Sequence, residues 1–236
     1  MRYIISDIHG CKKEYLKLLD KINFSDADHL YVLGDVLDRG FDPIGVLKDM
    51  MNRKNVTFIM GNHDYLFYYF LKTIGLELLD FKSEDEKWDF RTWIKDGGLS
   101  TLDGFIDLPE KEKRGIYDYI EKAKSYVTLE FEGEKYILVH AGIADFEESK
   151  EFDEYTLLDF IYKRADYSKR YYSDEKTFLV TGHTPTMSIL TNREAKVFMK
   201  NGHIAIDCGC VYGGRLAAYC IETGEVEYVD GATGEY

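Results

Sequence analysis

Proline is scarce, three residues in 236, so no proline-rich linker divides the chain. Four cysteines, Cys11, Cys208, Cys210 and Cys220, form no C-x-x-C pair and are too sparse for a secreted disulfide framework. Reduced, packed thiols are expected, with Cys208-x-Cys210 as a metal pair the weaker alternative. No apolar run approaches the roughly 20 residues of a membrane span, and the opening M-R-Y-I-I-S-D turns polar too early for a signal peptide. These absences lead us to expect a soluble, cytoplasmic protein with no membrane partner. Positive charge is also short: 30 Lys and Arg against 43 Asp and Glu leave a net charge of -13. That balance disfavours a nucleic-acid partner, because phosphate affinity comes mainly from Lys and Arg. A substrate carrying phosphate would need the field reversed locally. Apolar material, in contrast, is ample: 45% hydrophobic and 15% aromatic residues suffice for one packed domain over 1–236.

The first seventy or so residues repeat one pattern. R-Y-I-I-S, H-L-Y-V-L-G and N-V-T-F-I-M are short apolar runs, each followed by a segment with helical spacing of apolar positions. This is the pattern of consecutive βα units with neighbouring strands. The turns between strand and helix are D-I-H-G, G-D-V-L-D-R-G and G-N-H-D, and in an open α/β sheet such turns gather at the carboxyl ends of the strands, where ligands bind. From about 75 to 125 the chain reads as a charged, mostly helical insertion. From Ser125 strands and hairpins take over, turning at Glu132-Gly133, Asn201-Gly202 and Thr223-Gly224.

Two more strand ends carry polar turns, His140-Ala141-Gly142 and Gly182-His183-Thr184. Five strand ends therefore offer Asp7 and His9, Asp35, Asn62, His140 and His183, an oxygen and nitrogen set suited to first-row divalent ions. Six donors are too many for one ion that must also hold water and substrate. They suit two ions with a bridging carboxylate, an arrangement used for displacement at phosphorus, and two cations would make the site positive on an acidic protein.

In this order, D-I-H-G, G-D-V-L-D-R-G, G-N-H-D, H-A-G and G-H-T resemble the phosphoprotein phosphatase branch of the calcineurin-like metallophosphoesterases, over almost the whole chain. W-I-K-D-G-G (93–98) and I-D-C-G-C-V-Y-G-G-R-L (206–216) are similar to stretches of its bacterial and phage serine/threonine phosphatases. The resemblance implies an α/β fold of two mixed sheets packed as a sandwich and flanked by helices. It implies one ion on Asp7, His9 and Asp35 and a second on Asp35, Asn62, His140 and His183. Manganese is the first choice for both, with iron and zinc as alternatives. Hydrolysis would follow from in-line attack by a hydroxide shared between the ions. His63, next to a ligand, is the candidate general acid, with Asp38 on its other ring nitrogen. Arg39 is a candidate phosphate clamp. A second arginine is expected between H-A-G and G-H-T, and Arg164 is preferred over Arg170; Tyr212 is an aromatic candidate near the phosphate.

The chain also departs from that branch. Met60 stands where protein phosphatases carry an arginine before G-N-H-E, and G-N-H-D is similar to bacterial diadenosine tetraphosphatases. Those enzymes tend to lack the aspartate of L-D-R-G, whereas Asp38 is kept here. Asp96 replaces an asparagine of W-x-x-N-G-G, and no tryptophan precedes Arg164. An alkoxide leaving group needs a proton far more than a nucleotide does, so an intact Asp38 and His63 pair favours phosphomonoesters. The leading expectation is therefore a phosphatase of phosphoserine and phosphothreonine, and also phosphotyrosine, in proteins or small phosphorylated substrates. The alternative is a dinucleoside polyphosphate hydrolase.

Blander roles compete for several positions. Asp7, Asn62 and Asp64 could cap helices, and Asp38-Arg39-Gly40 could be a surface turn. His29 and His203 are expected at the surface or a strand edge. Tyr65–Phe70 reads as a packed helix face rather than a base-stacking platform, and Trp93 either lines the cleft or packs.

Overall fold

The structure, a computed structural model, describes residues 1–231. Strands are numbered in chain order. β1 (Arg2–Ile5), β2 (His29–Val32) and β3 (Val56–Phe58) lie side by side in parallel, joined through α1 (Lys12–Lys21) and α2 (Pro43–Met51). β4 (Val127–Phe131), β5 (Glu134–Leu138), β6 (Thr177–Thr181), β7 (Phe198–Lys200) and β8 (His203–Ala205) form a second sheet, in which β5, β6 and β8 run parallel. β9 (Arg215–Cys220) and β10 (Val226–Asp230) complete the first. The orders are β10-β9-β1-β2-β3 and β4-β5-β6-β8-β7. The three expected hairpins are antiparallel pairs, β4 with β5, β7 with β8 and β9 with β10.

The central strands are mostly apolar because both faces of the sheets are covered there. Ile4, Tyr31, Leu33, Leu138, Val180 and Ile204 meet in a core between the sheets. Their chain neighbours Ile5, Leu30, Val32, Ile137, Val139 and Leu179 face outward into the core under the helices. That alternation is the two-residue period of a strand, and it gives two sheets face to face with helical cover on the outside of each.

α3 (Asn62–Ile74) buries Phe67, Phe70, Leu71 and Ile74, the i, i+3, i+4, i+7 stripe of a packed helix. The 75–125 region contains α4 (Glu84–Trp93), a π-type turn over Ile94–Gly98, α5 (Leu99–Phe105) and α6 (Glu110–Glu121). Ser83 caps α4, accepting from the Glu86 N–H, so the acidic run there is its first turn. α5 packs on α2 and α6 on α3 and α2. The short α7 (Leu157–Ile161) and α8 (Thr186–Ile189) serve the second sheet.

Two histidines differ from expectation. His203 is buried, its Nε2 2.9 Å from the Lys169 carbonyl, because β8 is an interior strand between β6 and β7. His29 opens β2, also interior, and lies half-buried with Nε2 2.8 Å from the Thr57 hydroxyl. Trp93 does not line a cleft either; it is buried among Phe67, Phe70 and Phe90. All four cysteines are buried, and none is in a disulfide.

Gly34 closes the first sheet around the site. Its φ is +82°, and a Cβ added there would sit 2.5 Å from the main chain of Gly61. Gly34→Ala is therefore expected to lower stability by about 3 kcal/mol, or roughly 6–12 °C in Tm, through left-handed strain and a backbone clash. A thermal melt unchanged within about 2 °C would refute this close approach.

Candidate metal centre and phosphate pocket

Each sheet has three parallel strands, and their carboxyl ends converge. The first sheet delivers Asp7 and His9 after β1, Asp35 after β2 and Asn62 after β3; the second delivers His140 after β5, His183 after β6 and Asp207 after β8. Asp7, His9, Asp35, Asn62, His183 and Asp207 all line one cavity of about 260 Å³, and Arg39, His63, Arg164 and Tyr212 join them on its wall. His140 is fully buried beside it, with Nε2 3.0 Å from Asn62 Oδ1 and 3.5 Å from Asp35 Oδ1. Arg170, the rejected alternative, points elsewhere and donates to the Asp174 carbonyl.

The local backbone is unusual at these residues. Asp7, His9, Asp35, Asp38, Arg39 and His183 all have positive φ, between 42° and 70°. Aspartate tolerates that region, but histidine and arginine bear a cost of order 1–3 kcal/mol each, which surrounding bonds must offset. The helix-cap reading of Asp7 does not hold, since α1 begins at Lys12 with Cys11 in the capping position. The Asp7 carboxylate instead accepts from the Ser6 hydroxyl and from the His183 N–H, joining the first sheet to the second.

Asp64, expected only as a cap, does more than that. Its buried carboxylate accepts four backbone N–H bonds, from Asp35 (2.7 Å), Val36, Leu37 and Gly61 (3.1 Å each). It thereby ties the loop after β2 to the start of α3. The His63 N–H in turn donates to Asp35 Oδ1.

Hydrogen bonds set the histidine tautomers. His9 Nδ1 is 2.8 Å from the Leu37 carbonyl and His140 Nδ1 is 2.6 Å from the Leu33 carbonyl, so each carries a proton on Nδ1; His9 turns Nε2 to the cavity and His140 turns Nε2 toward Asn62 and Asp35. Burial, then the neighbouring charges of His63 and Arg39, holds the His9 pKa well below the usual histidine value. His183 is lowered to about 4 by burial and by His140, so it too is neutral at pH 7. The donor atoms of His9, Asp35 and His63 lie within 4.8 Å of one another, as do those of Asp35, His140 and His183.

The carboxylates also favour cations here. Burial and the Asp35 charge raise Asp7 to about 6, and burial with the Asp7 charge raises Asp207 well above the normal range. Burial works against the His140 imidazolium, yet Asp35 and Asp7 raise it to about 10. Crowded buried acids beside histidines with inward-facing Nε2 atoms fit divalent cations by both charge and donor type.

His63 stands apart from this set. Its Nδ1 is 2.7 Å from Asp38 Oδ2. Asp38 is fully buried, receiving also Trp93 Nε1 (2.8 Å) and the Thr101 hydroxyl (2.6 Å). Burial opposes protonation of His63, but Asp35 and Asp38 outweigh it and raise its pKa. Arg39 donates from Nη1 to His9 Nε2 and from Nη2 to His63 Nε2, both at 2.8 Å, while its guanidinium lies 5.6 Å from the Tyr212 ring centre. Asp96, from the π-type turn, comes within 3.7 Å of Arg39 and 3.8 Å of His63. Sequence reasoning did not assign four of these residues their contacts at the site. Asp64 was visible as the last residue of G-N-H-D, and Asp207 lay inside I-D-C-G. Trp93 and Thr101 lay in or beside W-I-K-D-G-G, but nothing local to them signalled a contact with Asp38 across more than 50 residues.

A cavity of this make-up, lined by carboxylates, histidine nitrogens and two arginines, suits divalent cations and a phosphoryl group. The chain belongs to the calcineurin-like phosphoesterases, whose family profile matches residues 3–229. It is 28% identical to an asymmetrical bis(5'-nucleosyl)-tetraphosphatase of Oceanobacillus iheyensis over 92% of this chain and 86% of the relative. A symmetrical bis(5'-nucleosyl)-tetraphosphatase of Buchnera aphidicola is 31% identical over 60% of this chain and 44% of the relative. Among solved structures, one provisionally named a diadenosine tetraphosphatase superposes with a TM-score of 0.67 at 22% identity, covering 99% of this chain and 94% of the other. A Saccharomyces cerevisiae protein serine/threonine phosphatase superposes with a TM-score of 0.58 at 11% identity, covering 100% and 80%. The family uses divalent metal ions, and the fold is the calcineurin-like sandwich.

Calorimetric titration of the metal-free protein with manganese is expected to give two equivalents per chain, one after His9→Ala and none of comparable affinity after Asp35→Asn. A single equivalent in the unmodified protein would remove Asp35 from a bridging role. Asp64→Asn turns one acceptor oxygen into a donor facing N–H groups, so about 3 kcal/mol of stability should be lost in urea denaturation, with manganese binding weakened alongside.

Proposed function

We propose that the protein hydrolyses dinucleoside polyphosphates, cleaving a phosphoanhydride rather than a protein phosphoester. The observation that carries this is full-length similarity: three asymmetrical bis(5'-nucleosyl)-tetraphosphatases are 26–28% identical over 92–96% of the chain. Met60, buried where protein phosphatases carry a phosphate-binding arginine, supports it by leaving Arg39 and Arg164 as the guanidinium groups on the cavity wall.

In this reading Asp7, His9 and Asp35 would hold one divalent ion, and Asp35, Asn62, His140 and His183 would hold a second, most simply manganese. Bound there, the two ions supply an acidified water and neutralise phosphoryl charge. The remaining work belongs to side chains. Arg39 and Arg164 grip non-bridging phosphate oxygens, and Tyr212 buttresses Arg39. His63, oriented by Asp38, presents Nε2 to the departing oxygen. The 2.8 Å contact from Arg39 requires Nε2 to be bare, so Arg39 must turn from the ring toward the phosphate before a proton can sit there.

The buried bracing of Asp38 by Trp93 and Thr101 favours a second reading, phosphomonoesterase activity on phosphoproteins, since alkoxides need the proton donor most. Release from diadenosine tetraphosphate and from a phosphoserine peptide, with manganese, separates the two. The expected result is higher kcat/KM on the dinucleotide, with His63→Ala reducing it by less than about 100-fold. Faster turnover of the peptide, collapsing by about 100- to 10,000-fold in His63→Ala, would favour the second reading instead.

A further inference from the structure

The inner cavity, about 260 Å³, lies below the roughly 300–1,000 Å³ of small-molecule sites, so a substrate larger than a phosphoryl group must extend beyond it. It continues into an adjoining cleft of about 810 Å³, and the two share Arg39, Asp96, Val211 and Tyr212. One wall of that cleft is the turn Arg39–Pro43 and the other runs from Lys95 to Gly104. The walls are locked together: Arg39 N–H donates to the Gly97 carbonyl at 2.9 Å, and Gly97 has a φ of +110°, with room for no Cβ against Arg39.

The chemistry of the cleft is mixed. Phe41, Leu99 and Tyr212 are large apolar side chains on its walls with more than half their surface exposed. Asp96, Ser100 and Asp103 add acceptors, and Lys95 adds a cation. Flat apolar surface beside acceptors matches a heterocycle that stacks, with an amine and ribose hydroxyls that donate. Asp96 borders both the cavity and the cleft, and its carboxylate lies 3.8 Å from His63 Nε2, the atom assigned above to the departing oxygen.

We propose that this cleft is the subsite for the nucleoside end of the leaving nucleotide, with the base against Phe41, Leu99 and Tyr212. The assignment rests on the dinucleotide reading above, and its test separates the two. Phe41→Ala and Leu99→Ala truncate exposed side chains, sparing the core. The ratio of kcat/KM for diadenosine tetraphosphate to that for inorganic tripolyphosphate, which has no base, should fall about 5- to 100-fold in Phe41→Ala and drop measurably in Leu99→Ala. Independently of turnover, the manganese-loaded protein should bind adenosine monophosphate more tightly than ribose 5-phosphate, and Phe41→Ala should narrow that gap.

Equal losses on both anhydrides, or equal affinity for the two monophosphates, would overturn the subsite even if the dinucleotide is turned over. A loss confined to a phosphoserine peptide would also overturn it, making the cleft a peptide groove. If diadenosine tetraphosphate is not hydrolysed but adenosine monophosphate still binds better through Phe41, the dinucleotide reading fails and the subsite stands.

Discussion

The carboxylate of Asp64 is the bond on which the site depends. Four backbone N–H groups from two segments end on one buried carboxyl group, so the loop after β2 cannot move without moving the start of α3. Asp35 leaves that loop and Asn62 leaves that helix, which places two donors at a fixed spacing before any ion is considered. Hydrogen bonds to a charged acceptor are individually stronger than neutral ones, and here they also offset the left-handed φ of Asp35. The contact from Asp7 to the His183 N–H plays the same part between sheets. The sandwich thus supplies rigidity in its core and spends it at one rim.

Charge follows the same economy of position. A chain with a net charge of -13 repels phosphates at long range, and the cavity itself holds three buried aspartates. Those aspartates would not repel substrate directly once cations sat between them. Arg39 belongs to both worlds: it reaches His9, His63 and Asp96, stacks on Tyr212, and borders the outer cleft.

The part of this arrangement written in contiguous residues was legible beforehand. Apolar runs ending in D-I-H-G, G-D-V-L-D-R-G and G-N-H-D predicted three parallel neighbouring strands, and those are β1, β2 and β3. Glycine turns at Gly133, Gly202 and Gly224 predicted the hairpins. Asp7, His9, Asp35, Asn62, His140 and His183 were expected together and are brought together, with Arg164 rather than Arg170 beside them. Whatever depends on contacts distant in sequence was hidden. The grip of Trp93 and Thr101 on Asp38 spans the insertion, and the interior position of His203 follows from strand order, which no local pattern encodes. The weighting of the two substrate readings shifted for a related reason: the Asp38 and His63 pair is a strong local signal, while the likeness to tetraphosphatases, which supports the alternative, is spread thinly along the chain.

The ring nitrogens of His9 and His140 are fastened to main-chain carbonyls, and Asp35 is fastened through its own loop, so the cage takes its shape from the polypeptide and not from what it encloses. Exchange of one ion for another of similar radius then asks no refolding of the protein. The donors are then in position before an ion arrives, so loading the centre orders little further chain.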